Sequence, residues 1–390
     1  MIDRMSAGEL PAKPHTISRG PDGAMRHEHC LTRHGFDGAF TILYREAAPH
    51  VHTAVALSEH GFPDAATAAG HLGEPLLRRH YLSADLPANG RSPMDARVPI
   101  LANADVVVGV LRPGASDLAY FENGDGDDLY YIHEGGGLLR TLMGDVAFGA
   151  KDYVLVPRGV THRFILEPGV AQHWLCLELL GDFHVPRQFR NETGQLRMDA
   201  PYTHRDFRRP VFDGPRDEGI RTVVGKRDGV FSEYTLAANP LDVVGWDGTV
   251  WPFAFPILAF QPKTGSVHLP PTIHGTFATR GGLICSFVPR LVDTHPEAIP
   301  CPYPHQSVHC DEAIFYCDGH FTSRRGVGPG SISYHPMGTM HGPHPGAYEA
   351  SIGQRETTEL AVMLDTFSPL RPTSAAKAIE QAGYHMSFVP

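Results

Sequence analysis

Apolar runs of four to eight residues recur along the chain between turn signals. Ala104–Leu111, Leu129–Ile132, Tyr153–Val156, Trp174–Leu180, Leu283–Val288, Ile314–Cys317 and Leu360–Leu364 are mostly bounded by Gly, Pro or Asp. Such punctuation predicts the short strands of a sandwich or barrel, not the strand–helix alternation of βαβ units. The first fifty residues are loop-rich, with a strand-like piece at Phe40–Tyr44. Two short helices are predicted. One covers Pro63–Leu72, with Pro63 in its first turn and Gly73 after it. The other covers Ser374–Ala382, with Ser374 as N-cap and Gly383 as the left-handed stop.

Residues 186–240 are dense in Arg, Asp and Pro and poor in apolar runs, as expected of a connection between two β-rich halves. The expected organisation is a β-rich unit over 1–240 and a second, catalytic unit over 241–390. The halves echo each other. Pro157-Arg158-Gly159-Val160-Thr161-His162 and Pro336-Met337-Gly338-Thr339-Met340-His341 share the form PxGxxH, each closing a strand-like run. Two copies in equivalent places suggest an internally duplicated barrel.

Composition narrows the function. The 41 glycines and 34 prolines among 390 residues far exceed the usual ~12% and fit a turn-rich all-β chain. A net charge of −10 argues against nucleic acid or an anionic membrane as the main partner. No run approaches the ~18 apolar residues of a membrane span. Residues 1–15 hold no apolar stretch of the kind a secretory signal needs. The six cysteines form no CxxC pair and read as reduced thiols of a cytosolic protein. The 24 histidines bring a metal into consideration, histidine being the commonest metal ligand.

The richest stretch is Pro304–Gly346. His305 is followed by Glu312, then Gly319, then the PxGxxH ending at His341. This is the two-motif outline of a cupin, and with the echo it predicts an all-β bicupin, two jelly-roll barrels in tandem. A barrel aims alternate side chains inward, so ligands distant in sequence can meet. Two imidazoles and one carboxylate on one side of a metal leave positions for substrate and O2, as in non-heme Fe(II) oxygenases. Ser307 stands where a further ligand histidine is usual, leaving three ligands. His309 and Asp311 are rivals for the site. His305 and Glu312 are an odd number apart, so a bulge or turn must separate them. In the first half His162 ends its motif without a matching histidine–glutamate pair, since Asp127, Asp128 and His133-Glu134 lack the spacing.

The sequence resembles the homogentisate 1,2-dioxygenase family in its shorter bacterial form. The resemblance is carried by Gly8–His15, His133–Gly137, Asp152–Phe164, Asp242–Gly248, Ser286–Arg290, His341–His344 and Glu359–Thr366. It implies an Fe(II) triad of His305, Glu312 and His341, an acid/base histidine at His268 and a further active-site histidine at His335. It implies ring opening of homogentisate (2,5-dihydroxyphenylacetate) by O2 to maleylacetoacetate, in aromatic amino-acid breakdown. It also implies a homo-oligomer, trimer or hexamer. The chain departs from the longer family form in two places: six residues rather than five separate His305 from Glu312, and Phe321 replaces a tyrosine near the substrate's carboxylate. Other readings use the same residues: a dioxygenase for gentisate or another hydroquinone-type acid, a non-oxidative metal-dependent isomerase with a fourth ligand such as His309, or a storage protein.

Overall fold

The apolar runs form strands, and the chain is all-β with a few helical turns. The computed structural model describes every residue except 1, 15, 34–38, 50, 65–74, 267–270, 297, 303 and 390. A central seven-stranded sheet contains, in spatial order, Phe253–Pro256, Asp152–Val156, Asp127–Glu134, His173–Leu179, Val106–Leu111, Arg97–Ala102 and Arg371–Pro372. One face of it packs on a second seven-stranded sheet, where Phe164 and Phe148 meet Tyr130 and Trp174 edge to face at 5.1–5.4 Å. The other face packs on a six-stranded sheet built from Gly275–Thr279, Gly282–Phe287, Leu360–Thr366, Asp311–Asp318, Ser331–His335 and Arg79–Leu82. There Val108, Leu175 and Leu177 face Ala313, Phe315 and Val362. A sheet covered on both faces needs apolar side chains at successive positions. That is why Val106–Leu111 reads as a continuous apolar run, every residue buried.

The expected pair of closed jelly-roll barrels, the bicupin, is not what forms. Closure requires the outermost strands of a sheet to share a ladder. No sheet among the described residues does this: the six-stranded sheet, for example, ends on Gly275–Thr279 and Arg79–Leu82. Short strands between turns suit open and closed sheets alike, so the sequence pattern cannot distinguish them. Burial comes instead from stacked open sheets. Those sheets also exchange strands, with Arg79–Leu82 joining Ser331–His335 and Arg371–Pro372 joining Arg97–Ala102.

Local expectations fare unevenly. The seven apolar runs all fall in strands, with ends shifted by a few residues. The predicted helix over 63–72 lies largely outside the described residues. The C-terminal helix is shorter than expected, Ser374–Ala378, and its N-cap is Thr373, whose hydroxyl accepts from the Ala376 amide at 3.2 Å. Gly383 is left-handed as expected, but it precedes a separate 3-10 turn, Tyr384–Phe388. The connection 186–240 ends in a hairpin, Thr222–Arg227 with Val230–Leu236. Its strands are half-exposed and mixed in polarity, which hid them from a search for apolar runs. Trp246, Trp251 and Phe253 are core residues, fully buried. Arg208 and Arg209 pair with Asp152 and Asp3.

Candidate metal centre

The six-stranded sheet has two unlike faces because side chains alternate along each strand. Ala313, Phe315, Val362 and Leu364 point into the main core. Glu312, Ile314 and Tyr316 point the other way. In register across the sheet, Glu312 lies opposite His335 on one neighbouring strand and opposite Asp365 on the other, and Asp365 lies opposite Leu283. One row of side chains therefore reads His335, Glu312, Asp365, Leu283. Beneath it Cys285, Ile314, Met363, Tyr316 and Phe321 form a separate apolar cluster.

His305 reaches this face from a two-residue strand, His305–Gln306, paired with Met340–His341. His305 lies directly opposite His341, their rings 4.4 Å apart. A bent, irregular segment over 307–310 separates His305–Gln306 from Asp311–Asp318, so the odd spacing of His305 and Glu312 is absorbed by a break between two strands. The His305, Glu312 and His341 ligand atoms all lie within 4.8 Å of one another. His341 Nδ1 meets the Thr339 carbonyl at 3.1 Å. That leaves Nε2 buried, without a hydrogen-bond partner among the described residues, and 3.9 Å from Glu312 Oε2.

The electrostatics favour an ionised carboxylate between neutral imidazoles. Burial alone would raise the Glu312 carboxyl, but the His335 hydrogen bond and the nearby Arg324 outweigh it and hold it at about 2. Burial pushes His335 down to about 4, and Arg324 adds to that effect. Burial likewise lowers His341. A carboxylate can only accept, so the 2.6 Å contact places a proton on His335 Nδ1, which donates to Glu312 Oε1. His335 Nε2 is then a buried lone pair with no hydrogen-bond partner among the described residues. Burial, then the charge of Glu312, raises Asp365 to about 8. The Arg324 guanidinium lies 3.7 Å from Glu312 and donates to the Gly342 carbonyl at 2.7 Å, tying the two ligand-bearing segments together.

The rival ligands are elsewhere. Asp311 accepts from the Met337 amide at 2.6 Å, the Leu370 amide at 2.5 Å and the Tyr334 hydroxyl at 2.9 Å, which fixes the PxGxxH turn. His309 is exposed. His268 lies outside the described residues. His344 stacks on Phe388 and His274 on Phe287. Phe321 packs edge-on against Tyr316 at 4.7 Å.

The same turn and hydrogen-bond pattern recur around both copies of the repeated motif. Pro157–Val160 and Pro336–Thr339 close the same turn, with Gly159 and Gly338 at φ +76° and +79°. His162 and His341 both use Nδ1 on the carbonyl two residues earlier. Asp127 accepts from the Arg158 and Phe183 amides as Asp311 does from Met337 and Leu370. Asp128 stands opposite Val156 and Glu178, as Glu312 stands opposite His335 and Asp365. The first half fills its carboxylate pair with protein cations. Arg97 clasps Asp128 at 2.8 and 3.0 Å, and Lys226 bonds Glu178. Arg324 and Asp365 were not singled out from the sequence; the pairing register brings Asp365 to the site, and the loop between two strands brings Arg324.

A family model described as the N-terminal part of homogentisate 1,2-dioxygenase matches residues 112–257. The chain is 33% identical over 384 residues to a Saccharolobus solfataricus protein named "Putative dioxygenase SSO1533", covering 98% of this chain and 97% of that one. It is 28% identical over 271 residues to homogentisate 1,2-dioxygenase of Rhodopseudomonas palustris (strain HaA2), covering 66% of this chain and spanning 59% of that enzyme's length. A cupin 2 conserved barrel domain protein from Leptotrichia buccalis is similar with a TM-score of 0.34 and 10% identity, over 70% of this chain and 88% of that chain.

Proposed function

The chain belongs to the dioxygenase family of the Saccharolobus solfataricus protein, and from that premise we propose that it is an iron-dependent dioxygenase opening the ring of homogentisate to give maleylacetoacetate. The observation that carries the reading is the convergence of His305, Glu312 and His341, with ligand atoms within 4.8 Å and a buried His341 Nε2 that no described residue hydrogen-bonds. Two imidazoles and one ionised carboxylate suit a divalent ion and leave coordination positions free. Fe(II), when bound, supplies the redox chemistry between an aromatic ring and O2.

The chain's own residues prepare that site. His335 donates to Glu312 and so fixes which carboxylate oxygen faces the other ligands. Its buried Nε2 is a lone pair that no described residue uses. Arg324 holds the Glu312 strand against Gly342, next to His341. The apolar cluster of Ile314, Met363 and Cys285 forms a floor on which an aromatic ring packs. We assign to His268 the transfer of a ring-hydroxyl proton, a task suited to an imidazole. The protein would act as a homo-oligomer.

One observation favours a second substrate, gentisate or another hydroquinone-type acid. Phe321, buried against Tyr316, offers no hydroxyl to a side-chain carboxylate. The test is anaerobic loading with Fe(II), followed by O2 uptake with homogentisate and gentisate side by side and absorbance of the ring-opened product. Uptake with one, coupled to product, supports the reading and selects the substrate. No uptake with either, at full iron occupancy, overturns it.

A further inference from the structure

On the reading above, a substrate must approach Glu312 from its accessible side. His335 closes one side, with no solvent exposure. The other side is taken by Asp365, which is half-buried, as are Leu283 beside it and Phe287 further along that strand. Among the described residues of these two strands, that side presents the apolar Leu283 and Phe287 with the Asp365 carboxyl beside them.

The first half shows what that position does when filled. Glu178 is the counterpart of Asp365, since each is the cross-strand neighbour of the motif carboxylate. Glu178 receives two donors, Lys226 Nζ and Asn123 Nδ2, the latter at 2.8 Å. Among the described residues no donor bonds the Asp365 carboxyl. The duplicated architecture thus presents the same acceptor twice, once satisfied from within the chain and once open at the site.

We propose that Asp365 is a specificity-determining residue whose carboxyl accepts the hydrogen bond of a ring hydroxyl, selecting dihydroxy-arene acids over their mono-hydroxy analogues. In either protonation state the group keeps an acceptor oxygen. A substrate lacking the second hydroxyl leaves that acceptor unmatched in a partly desolvated wall. Sites built around such a bond reject the analogue that lacks it.

The experiment measures binding to the Fe(II)-loaded protein under anaerobic conditions by calorimetry. The probes are 2,5-dihydroxyphenylacetate and 2-hydroxyphenylacetate, and the proteins are wild type, Asp365→Ala, the near-isosteric Asp365→Leu and Asp365→Asn. Wild type should prefer the dihydroxy acid by about fivefold or more, within the range of a net hydrogen bond to a neutral carboxyl. In Asp365→Ala and Asp365→Leu the preference should collapse to within about twofold, with affinity for the mono-hydroxy acid and iron content unchanged. Asp365→Asn, which keeps an acceptor oxygen, should recover part of it. An unchanged preference in whichever acceptor-free variant folds overturns the assignment while leaving the dioxygenase reading intact. A wild-type protein that binds neither acid and consumes no O2 overturns both.

Discussion

Asp128 and Glu312 occupy the same place in two copies of one structural unit. Each lies opposite the residue preceding a PxGxxH turn, and each has a second carboxylate as its other neighbour. They differ in what neutralises them. Asp128 is clasped by the buried Arg97, whereas Glu312 accepts from His335, faces the His305 and His341 imidazoles and has only a 3.7 Å approach from Arg324. Removing one partner of a buried ion pair costs about 3–5 kcal/mol, because the other charge is stranded. Arg97→Met should therefore lower the denaturation midpoint sharply while the folded protein still binds metal. Glu312→Gln should abolish metal binding. Thermal melts with metal analysis test the contrast, and equal metal loss in both variants would refute it.

His335 acts through Glu312. A hydrogen-bond partner behind a ligand commonly sets ~10–100-fold in metal affinity. His335→Leu should weaken Fe(II) or Co(II) binding by that factor, and His335→Gln should retain more of it. Competitive titration with a chelator reads the effect. Identical affinities in His335→Leu and wild type would make the 2.6 Å contact incidental.

Much of this was legible in the chain, for a physical reason. Strand positions follow from apolar runs because both faces of the central sheet are buried. His305, Glu312 and His341 stood out because their spacing is that of a metal-binding motif. Sheet closure was not legible, because it depends on which edges pair and not on any strand's own composition. Asp365 and Arg324 were invisible for the same reason. Asp365 belongs to the site only through its register with Glu312, and Arg324 only through the fold of the 319–330 loop.

Gly319, the glycine of the first motif, answers to a backbone constraint. Its φ is +82°, and a Cβ built there would lie 1.9 Å from the Thr358 carbonyl oxygen. The left-handed conformation alone costs a side chain about 1–2 kcal/mol, and the clash with backbone adds to it. Gly319→Ala should destabilise by more than about 2 kcal/mol. Gly326→Ala, with φ +72° and open space around the position, should cost only the conformational part. Equal denaturation midpoints for the two variants would show that the Thr358 contact is unimportant.

The pH dependence of the metal-free protein should carry opposing contributions from two sides of Glu312. Burial sets His335 at about 4, below its ordinary 6.5. As pH falls from 6.5 towards 4, the unfolded chain takes up a proton that the folded one refuses, so stability is lost on the acid side. Asp365 works in the reverse sense. Burial and then Glu312 raise it from 3.8 to about 8, so the folded state keeps a proton that the unfolded state gives up. Its contribution is lost as pH rises through 4 to 8. Glu312, held at about 2, contributes stability above its ordinary 4.5 that disappears only as pH falls below that value. Melting temperatures of metal-free wild type, His335→Gln and Asp365→Asn between pH 4 and 8 separate these contributions. The difference between Asp365→Asn and wild type should move in favour of the variant with each step towards pH 8. His335→Gln should flatten the acid limb between 6.5 and 4. Parallel curves for Asp365→Asn and wild type would mean that the Asp365 carboxyl titrates as it does in water, and that the wall beside Glu312 is wetter than its packing indicates.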